Sequence, residues 1–227
     1  GVGTGLFVAA LNWSAIGVER LVYGADHLHN HNPVANVSPL RLSITVIVLS
    51  VVASWAWFFV HRTGPKEVSI VGAIRGEKMP ILETIASAFL QVTTVAAGAP
   101  VGAENAPRIA GALVGERFSR WLQLDIDAKR ILVASAAGAG LGASFHLPLA
   151  GVLFALEVLL VEASTRTVVI AIITTTAAVA TTGFFVQTPD VFSTVPLTES
   201  PWMLLAAMVT GVVAGMCGHW FSAAAHK

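Results

Sequence analysis

The chain has 227 residues, of which 55% are hydrophobic and 11% are charged, with a mean hydropathy of +0.76 and a formal net charge of +0. Soluble domains carry about 25% charged residues, so this composition excludes an ordinary soluble domain and predicts an integral membrane protein. The balanced charge gives no sign of a nucleic-acid partner, and the single cysteine, Cys217, excludes an intrachain disulfide.

Eight apolar segments follow one another along the chain. They run at about 2–23, 42–60, 80–99, 105–122, 131–144, 147–162, 167–188 and 201–225. A full membrane span needs about 20 residues, so the first, second, seventh and eighth are long enough to cross a bilayer. The chain opens on apolar residues with no basic region before them, so we expect no signal peptide and a start inside a helix.

The apolar stretch from Ile131 to Glu162 is divided by Pro148. Because proline breaks a helix interior, each piece would reach only about 20 Å, which is too short to cross the bilayer. We therefore expect two half-helices that meet inside the membrane. Non-helical backbone at that depth is tolerated only where protein covers it or where it lines a polar cavity, so the break indicates a functional site. The small residues at 134–144 predict close helix packing.

Basic residues are unevenly distributed among the connecting segments. The segments near 61–79, 116–130 and 163–167 contain Lys and Arg, whereas 24–40 and 189–200 contain none. Cytoplasmic loops of membrane proteins carry an excess of Lys and Arg. The first three segments are therefore expected in the cytoplasm and the last two outside.

One carboxylate, Glu104, lies in a loop of glycine, alanine and proline within GAPVGAENAPRIAGALVGE, residues 98–116. A helix that begins near Asn105 would present unpaired backbone N–H groups and the positive end of its dipole at this point, an arrangement that binds anions. The carboxylate could simply complement that dipole, or it could regulate an anion site. Ionisable residues at membrane depth are rare and mostly functional, so we favour the second interpretation.

Three stretches of the sequence match a known pattern. They are VGAIRGEKMP (71–80), GAENAPRIAGALVG (102–115) and GLGASFHLPLAGVLFALEV (140–158). The second resembles the glutamate-gate motif G-R-E-G-P of the CLC chloride channels and proton/chloride antiporters. The third resembles the same family's A-F-N-A-P-L-A-G-x-L-F-x-x-E, and the first resembles the segment after that family's first anion-binding loop.

The resemblance implies an all-α, polytopic membrane fold of inverted repeats, with broken intramembrane helices whose N-termini point at a central anion. The chain would form a single membrane domain over residues 1–227, with a first repeat at about 1–190 and the start of a second at about 197–227. We expect it to be truncated at both ends. The resemblance also implies a cell (plasma or inner) membrane, a surrounding lipid bilayer, a homodimer in the complete protein, and no cofactor other than a chloride-like or nitrate-like anion.

Carried over residue by residue, the resemblance makes Glu104 a gate that competes with the permeating anion and swings away when it is protonated. The residues implied to surround the anion are Gly64, Pro65, Gly102, Ala103, Asn105 and Ala106. This sequence departs from the motif, because Ala103 stands where the family has arginine, and Asn105 and Ala106 replace glycine and proline. The backbone around the gate is therefore expected to differ.

The first anion-binding loop departs further from its family pattern, G-S-G-I-P, which falls on residues 64–68. Pro65 replaces the serine whose hydroxyl would contact the anion, and proline has neither a hydroxyl nor an N–H. Within the family, proline at this position is associated with nitrate preference in plant members. Lys66 and Glu67 make the loop unusually charged. A solvated cytoplasmic turn with no role in anion binding is an equal alternative.

Proton-coupled members of the family carry paired acidic residues where this chain has Glu157 followed by Val158. Val158 holds the internal proton-transfer position, which is thereby lost, and Glu157 is expected to be a capped or paired structural residue. We therefore predict an anion channel, or part of one, that works by passive permeation. The alternatives are a proton-coupled chloride or nitrate antiporter and a non-conducting membrane scaffold or regulatory protein.

Histidines form two further features. His27, His29 and His31 alternate in a polar loop, where a flexible segment is favoured over a zinc or copper site. His146, beside the predicted break, is expected to be a hydrogen-bonded structural residue. We predict no metal site and no enzyme, because the sequence contains no metalloprotease, P-loop or nucleophile-elbow motif.

Overall fold

A computed structural model describes residues 1–23, 38–99, 102–186 and 201–225. In these residues all regular structure is helical, which confirms the all-α prediction. In chain order the helices are α1 (Val2–Tyr23), α2 (Pro39–Thr63), α3 (Ile70–Ile74), α4 (Ile81–Ala96), α5 (Asn105–Trp121), α6 (Ile126–Phe145), α7 (Pro148–Leu153), a π-helix (Phe154–Leu160), α8 (Thr165–Phe185) and α9 (Pro201–Ala225).

The chain divides into two compact units, Gly1–Thr188 and Pro189–Lys227. In the described residues the first unit contains α1 to α8, and the second contains α9 alone. Whether this division follows inverted repeats stays a prediction.

Four described helices are long and apolar enough to cross a membrane. They are α1, residues 39–60 of α2, α8, and residues 202–224 of α9. These are the four spans predicted from the sequence. The shorter apolar helices are α4 and the segment 148–160.

Polar residues fix where several of the helices begin. Ser38, Ser69, Asp125 and Ser164 each accept a hydrogen bond from a backbone N–H in the first turn of α2, α3, α6 and α8, respectively. These bonds satisfy N–H groups that have no partner inside the helix, which is costly to leave undone in an apolar environment. Helix α7 begins instead with Pro148, whose fixed φ suits the first helical position.

Glycines bring α5 and α6 into close contact. A Cβ at Gly111 would overlap the carbonyl of Ala136, and a Cβ at Gly140 would overlap the carbonyl of Pro107. The two helices therefore approach more closely than side chains larger than hydrogen allow. The small-residue run at 134–144 serves this packing, as its composition indicated.

The other face of α6 packs in the same way against α7 and α8. Gly138 lies against the Gly151 backbone, and Gly142 lies against the Thr175 side chain. Helix α6 therefore stands between α5 on one side and the pair α7 and α8 on the other.

The break between α6 and α7 lies where it was predicted, but one half-helix is longer than expected. Helix α6 begins at Ile126 rather than Ile131, and its 20 residues would extend about 30 Å. The expectation of a half-length helix is wrong here because the charged first turn, which Asp125 caps, lies outside the apolar run. The chain reverses at His146, which has a left-handed conformation with φ 55° and ψ 30°. Histidine is among the residues that tolerate this conformation.

The segment after α7 is a π-helix rather than a continued α-helix. Residues Phe154–Leu160 form it, and it ends at Val161, which has φ 53°. In a π-helix the backbone bonds run from i to i+5, so adjacent side chains diverge less than the 100° of an α-helix. Such segments are rare and concentrate at functional sites.

The basic connecting segments meet at one end of the first unit. Arg117 at the end of α5 donates a hydrogen bond of 2.8 Å to the carbonyl of Met79, just before α4. Arg130 at the start of α6 lies 3.7 Å from Glu162, just before α8. The segments that the sequence placed together in the cytoplasm are thus neighbours in space.

Candidate functional site

Glu104 stands at the start of α5 as the residue before its first helical turn. It has φ −67° and ψ −23°, it is exposed, and its side chain makes no capping hydrogen bond to α5. Instead the carboxylate lies against Gly102, so closely that a Cβ at that position would overlap it. Glycine at 102 is therefore what allows the carboxylate to lie beside the loop backbone.

The first turn of α5 consists of Asn105, Ala106 and Pro107. Pro107 has no N–H and fits the first turn of a helix because that turn needs no donor. The N–H groups of Asn105 and Ala106 thus form the positive end of α5 with no side-chain cap from Glu104. This end of the helix can hold a carboxylate or a free anion.

Arg108 lies one turn into α5, and its side chain reaches back to the loop 102–104. Its Nε donates a hydrogen bond of 2.9 Å to the backbone carbonyl of Glu104. Its guanidinium carbon lies 5.4 Å from the ring centroid of Phe154, at the start of the π-helix. Arg108 therefore connects the loop 102–104 with the segment that carries Val158. This residue was not predicted from the sequence, although an arginine four residues after Glu104 is a visible signal.

A cavity of about 350 Å³ adjoins the loop 102–104 in the first unit. Ala103 and Pro107 contribute to its wall from one side, and α1 and α4 contribute from the others. Gln91 of α4 also donates a hydrogen bond of 3.4 Å to the carbonyl of Gly102, a long contact. The cavity gives the loop 102–104 space into which a side chain could move.

The 64–68 loop follows α2 and packs against α4. A Cβ at Gly64 would overlap the side chain of Glu83, and Ser87 donates a hydrogen bond of 3.0 Å to the carboxylate of Glu67. Pro65 and Lys66 are exposed. Together with Val60, these residues line a separate cavity of about 230 Å³. The anchoring of Glu67 shows that the loop has a fixed attachment to α4.

The sequence-predicted site residues fall into two groups. Gly102, Ala103, Asn105 and Ala106 are next to Glu104 at the start of α5. Gly64 and Pro65 are at the end of α2, and Pro65 lines a different cavity from that of Ala103. The first group lies together at one uncapped helix end, and a role of either group in anion binding stays a prediction.

Val158 and Glu157 both lie on the π-helix and both are exposed. Glu157 forms no ion pair among the described residues, so the expectation that it is paired is wrong. The carboxylate that is paired near the end of the π-helix is that of Glu162, which lies 3.7 Å from Arg130. Arg130 also donates a hydrogen bond of 2.9 Å to the carbonyl of Leu160, which closes the end of the π-helix.

The histidine predictions have different outcomes. The backbone N–H of His146 donates to the carbonyl of Gly142, but its buried Nε2 has no hydrogen-bond partner in the described part of the chain. The prediction of a hydrogen-bonded side chain is therefore not met at that nitrogen, because the left-handed turn directs the ring toward Gly183. His27, His29 and His31 lie outside the described residues.

A second charged cluster, missed by the sequence analysis, surrounds Glu116 near the end of α5. The Glu116 side chain is fully buried and forms an ion pair with Arg120 one turn later. Arg117 lies 3.5 Å and Lys129 lies 4.0 Å from its carboxylate oxygens. Lys129 also donates to the carbonyl of Gly76, so the cluster joins α5, α6 and the turn before α4. The spacing of Glu116 and Arg120 was the available sequence signal.

Comparison with known proteins places this chain in a family. A model of the voltage-gated chloride channel family matches residues 45–227. The chain is 27% identical over 240 residues to the voltage-gated ClC-type chloride channel ClcB of Salmonella dublin, covering 100% of this chain and 57% of that protein. It is 28% identical over 231 residues to the protein of the same name from Citrobacter koseri, covering 97% and 54%. To the protein of that name from Yersinia pseudotuberculosis it is 26% identical over 233 residues, covering 97% of this chain and 55% of that protein. The chain thus spans little more than half the length of these relatives.

Proposed function

The chain belongs to the voltage-gated chloride channel family and is a multi-pass integral membrane protein, and we propose that it supplies the gate of a passive anion pathway. The observation that carries the proposal is the position of Glu104, an exposed carboxylate beside the uncapped start of α5. Chloride-like or nitrate-like anions would be the permeating species. As the family resemblance implies, the complete protein would act in the lipid bilayer as a homodimer, with no chemical reaction.

The gate works by competition between two anions for one helix end. When the Glu104 carboxylate turns toward the N–H groups of Asn105 and Ala106, the helix dipole favours it there and an entering anion is repelled. Protonation removes the charge and with it most of that attraction. In the described conformation the carboxylate lies against Gly102 and leaves the helix end open. External acid is therefore expected to favour permeation.

Val158 is the reason for proposing passive permeation. A coupled exchanger must pass the proton from its gate to the inner side of the membrane, and a side chain that binds a proton provides the direct route. Val158, at the position that the resemblance assigns to this step, cannot bind one. We therefore expect anion flux without stoichiometric proton exchange.

The test uses liposomes that contain a chimaera in which this chain replaces the matching region of the Salmonella dublin relative. We expect chloride efflux that external acid increases, and no uphill proton movement under a chloride gradient. In Glu104→Gln the flux should stay high at every pH, because the competing charge is gone. If the pH dependence survives this substitution, Glu104 is not the gate, and if the chimaera is folded but carries no anions, a non-conducting scaffold is favoured.

A proton-coupled antiporter is the second candidate, and the observation that favours it is Glu157. This carboxylate is exposed and unpaired among the described residues, one position from Val158 on a π-helix whose adjacent side chains diverge less than in an α-helix. It could replace the lost inner proton site. Uphill proton movement in the chimaera that disappears in Glu157→Gln would establish this candidate and reject the passive one.

A further inference from the structure

Arg108 is a half-buried cation that has no carboxylate partner among the residues that the structure describes. It lies in the first turns of α5, where the positive end of the helix dipole opposes a positive side chain. Its charge therefore does not stabilise α5. A cation placed among apolar helices at an electrostatic cost calls for a different explanation, and a mobile counter-ion is the simplest.

Two contacts fix the orientation of the Arg108 guanidinium. Nε donates its hydrogen bond of 2.9 Å to the carbonyl of Glu104, and the group lies over the Phe154 ring at 5.4 Å. A guanidinium has five N–H donors, and only one of them is used by Glu104. The four on the two Nη atoms have no acceptor in the described part of the chain. One face of the group is thus covered by an aromatic ring, while its Nη edge has no partner among the described residues.

We propose that the Nη edge of Arg108 is an anion-docking site that delivers the permeating anion to the gate. The free edge presents parallel N–H groups, a geometry that suits planar oxyanions such as nitrate better than a spherical chloride ion. The proposal rests on the function proposed above, because it names the residue that recruits the anion. The family motif has an arginine just before the glutamate, and this chain has Ala103 there instead. The proposal gives a physical role to the cation that this chain has after Glu104.

A purely structural role for Arg108 predicts different effects of substituting it. If its only task were to hold the carbonyl of Glu104, substitution would alter stability and gating but not the binding of anions. Lysine would then be a poor substitute, since it cannot reproduce the fixed Nε contact. If the charge recruits anions, lysine should restore chloride binding but not the preference for nitrate, because an ammonium lacks the planar fork.

The experiment measures anion binding to the full 227-residue chain in lipid nanodiscs. Chloride binding is followed by NMR line broadening, and nitrate is added to displace it. The variants are Arg108→Gln, Arg108→Lys and, as a matched control, Arg75→Gln, which changes an exposed arginine at the end of α3. Circular dichroism checks that each variant keeps its helix content.

We expect Arg108→Gln to weaken chloride binding at least about tenfold, the loss typical of a charge-assisted hydrogen bond, while Arg75→Gln leaves it unchanged. Arg108→Lys should retain chloride binding and lose the advantage of nitrate. Equal binding by the wild type and a folded Arg108→Gln variant would overturn the proposal, as would the absence of chloride binding in the wild type. Loss of binding in Arg108→Gln together with a non-conducting chimaera would keep this site and reject the channel function.

Discussion

Glu116 illustrates how a single buried charge can hold several helices at one end of the unit. Its carboxylate is fully buried in the second half of α5, where the negative end of the helix dipole makes a carboxylate unfavourable. Arg117, Arg120 and Lys129 offset that cost, and two of them also donate to carbonyls of the turn before α4. The cluster therefore holds α5, α6 and the turn before α4 together.

At this residue we predict that Glu116→Gln lowers the free energy of unfolding by about 3 kcal/mol, because it leaves three cations without their common partner. Thermal unfolding in detergent, followed by circular dichroism, measures the loss. The matched control is Glu157→Gln, which removes an exposed carboxylate and should change stability little. Equal losses of stability in the two variants would contradict the view that the ion pairs of Glu116 hold these helices together.

Pro65 carries a prediction about selectivity at the residue scale. Proline offers an anion neither a hydroxyl nor an N–H, and the loss of a donor weakens the binding of small, strongly hydrated anions most. In the chimaera, Pro65→Ser should therefore move the permeability ratio toward chloride and away from nitrate. Reversal potentials in mixed anions measure the ratio, and Lys66→Ser at the next exposed position controls for a general effect on the loop. An unchanged ratio would favour the alternative of a solvated turn.

The sequence made Glu104 visible but left two other charged residues of α5, Arg108 and Glu116, unnoticed for a physical reason. A lone carboxylate in a glycine-rich loop is unusual in any context, so composition alone singled it out. Arg108 and Glu116 owe their roles to contacts with Phe154 on the π-helix and with Lys129 on α6. The local spacings of Arg108 to Glu104 and of Glu116 to Arg120 were visible, but the contacts with Phe154 and Lys129 join residues far apart in the sequence, and no local pattern specifies them.

At the scale of elements, apolar run lengths predicted the four long spans, and proline predicted the break at Pro148. Two features could not be predicted in this way. Helix α6 extends past its apolar run because capping by Asp125 and the ion pairs of its first turn support charged residues in a helix. The π-helix at 154–160 depends on a change in hydrogen-bond register, which side-chain composition does not specify.

The contact between α5 and α6 gives a prediction at the element scale. Gly140→Ala places a methyl group against the Pro107 carbonyl, so the start of α5 must shift. Overpacking of this kind costs about 1–3 kcal/mol, and we expect a lower melting temperature together with altered gating in the chimaera. The control is Gly17→Ala in α1, where no atom lies within 4 Å and alanine should be neutral or slightly stabilising. If the Gly140→Ala variant melted at as high a temperature as Gly17→Ala, the close contact between Gly140 and the Pro107 carbonyl would be contradicted.

For the whole molecule, the orientation in the membrane ties these features together. The hydrogen bond from Arg117 to the Met79 carbonyl and the ion pair of Arg130 with Glu162 place the basic segments at one end of the first unit. Glu104 is separated from that end by the length of α5, 17 residues or about 26 Å, most of the hydrocarbon thickness. If the basic end is cytoplasmic, the gate faces the outside, and external rather than internal acid should open it.

The orientation can be tested by cysteine labelling, because the segment 61–79 contains four Lys and Arg residues and 24–40 contains none. In a Cys217→Ser background we expect Lys66→Cys, an exposed position, to react with a membrane-impermeant maleimide only after the cells are opened. His29→Cys in the predicted outer segment should react in intact cells. Rapid labelling of Lys66→Cys from outside would invert the topology. It would also move Glu104 to the cytoplasmic side, so that the acid sensitivity of the flux would have to appear under internal acid instead.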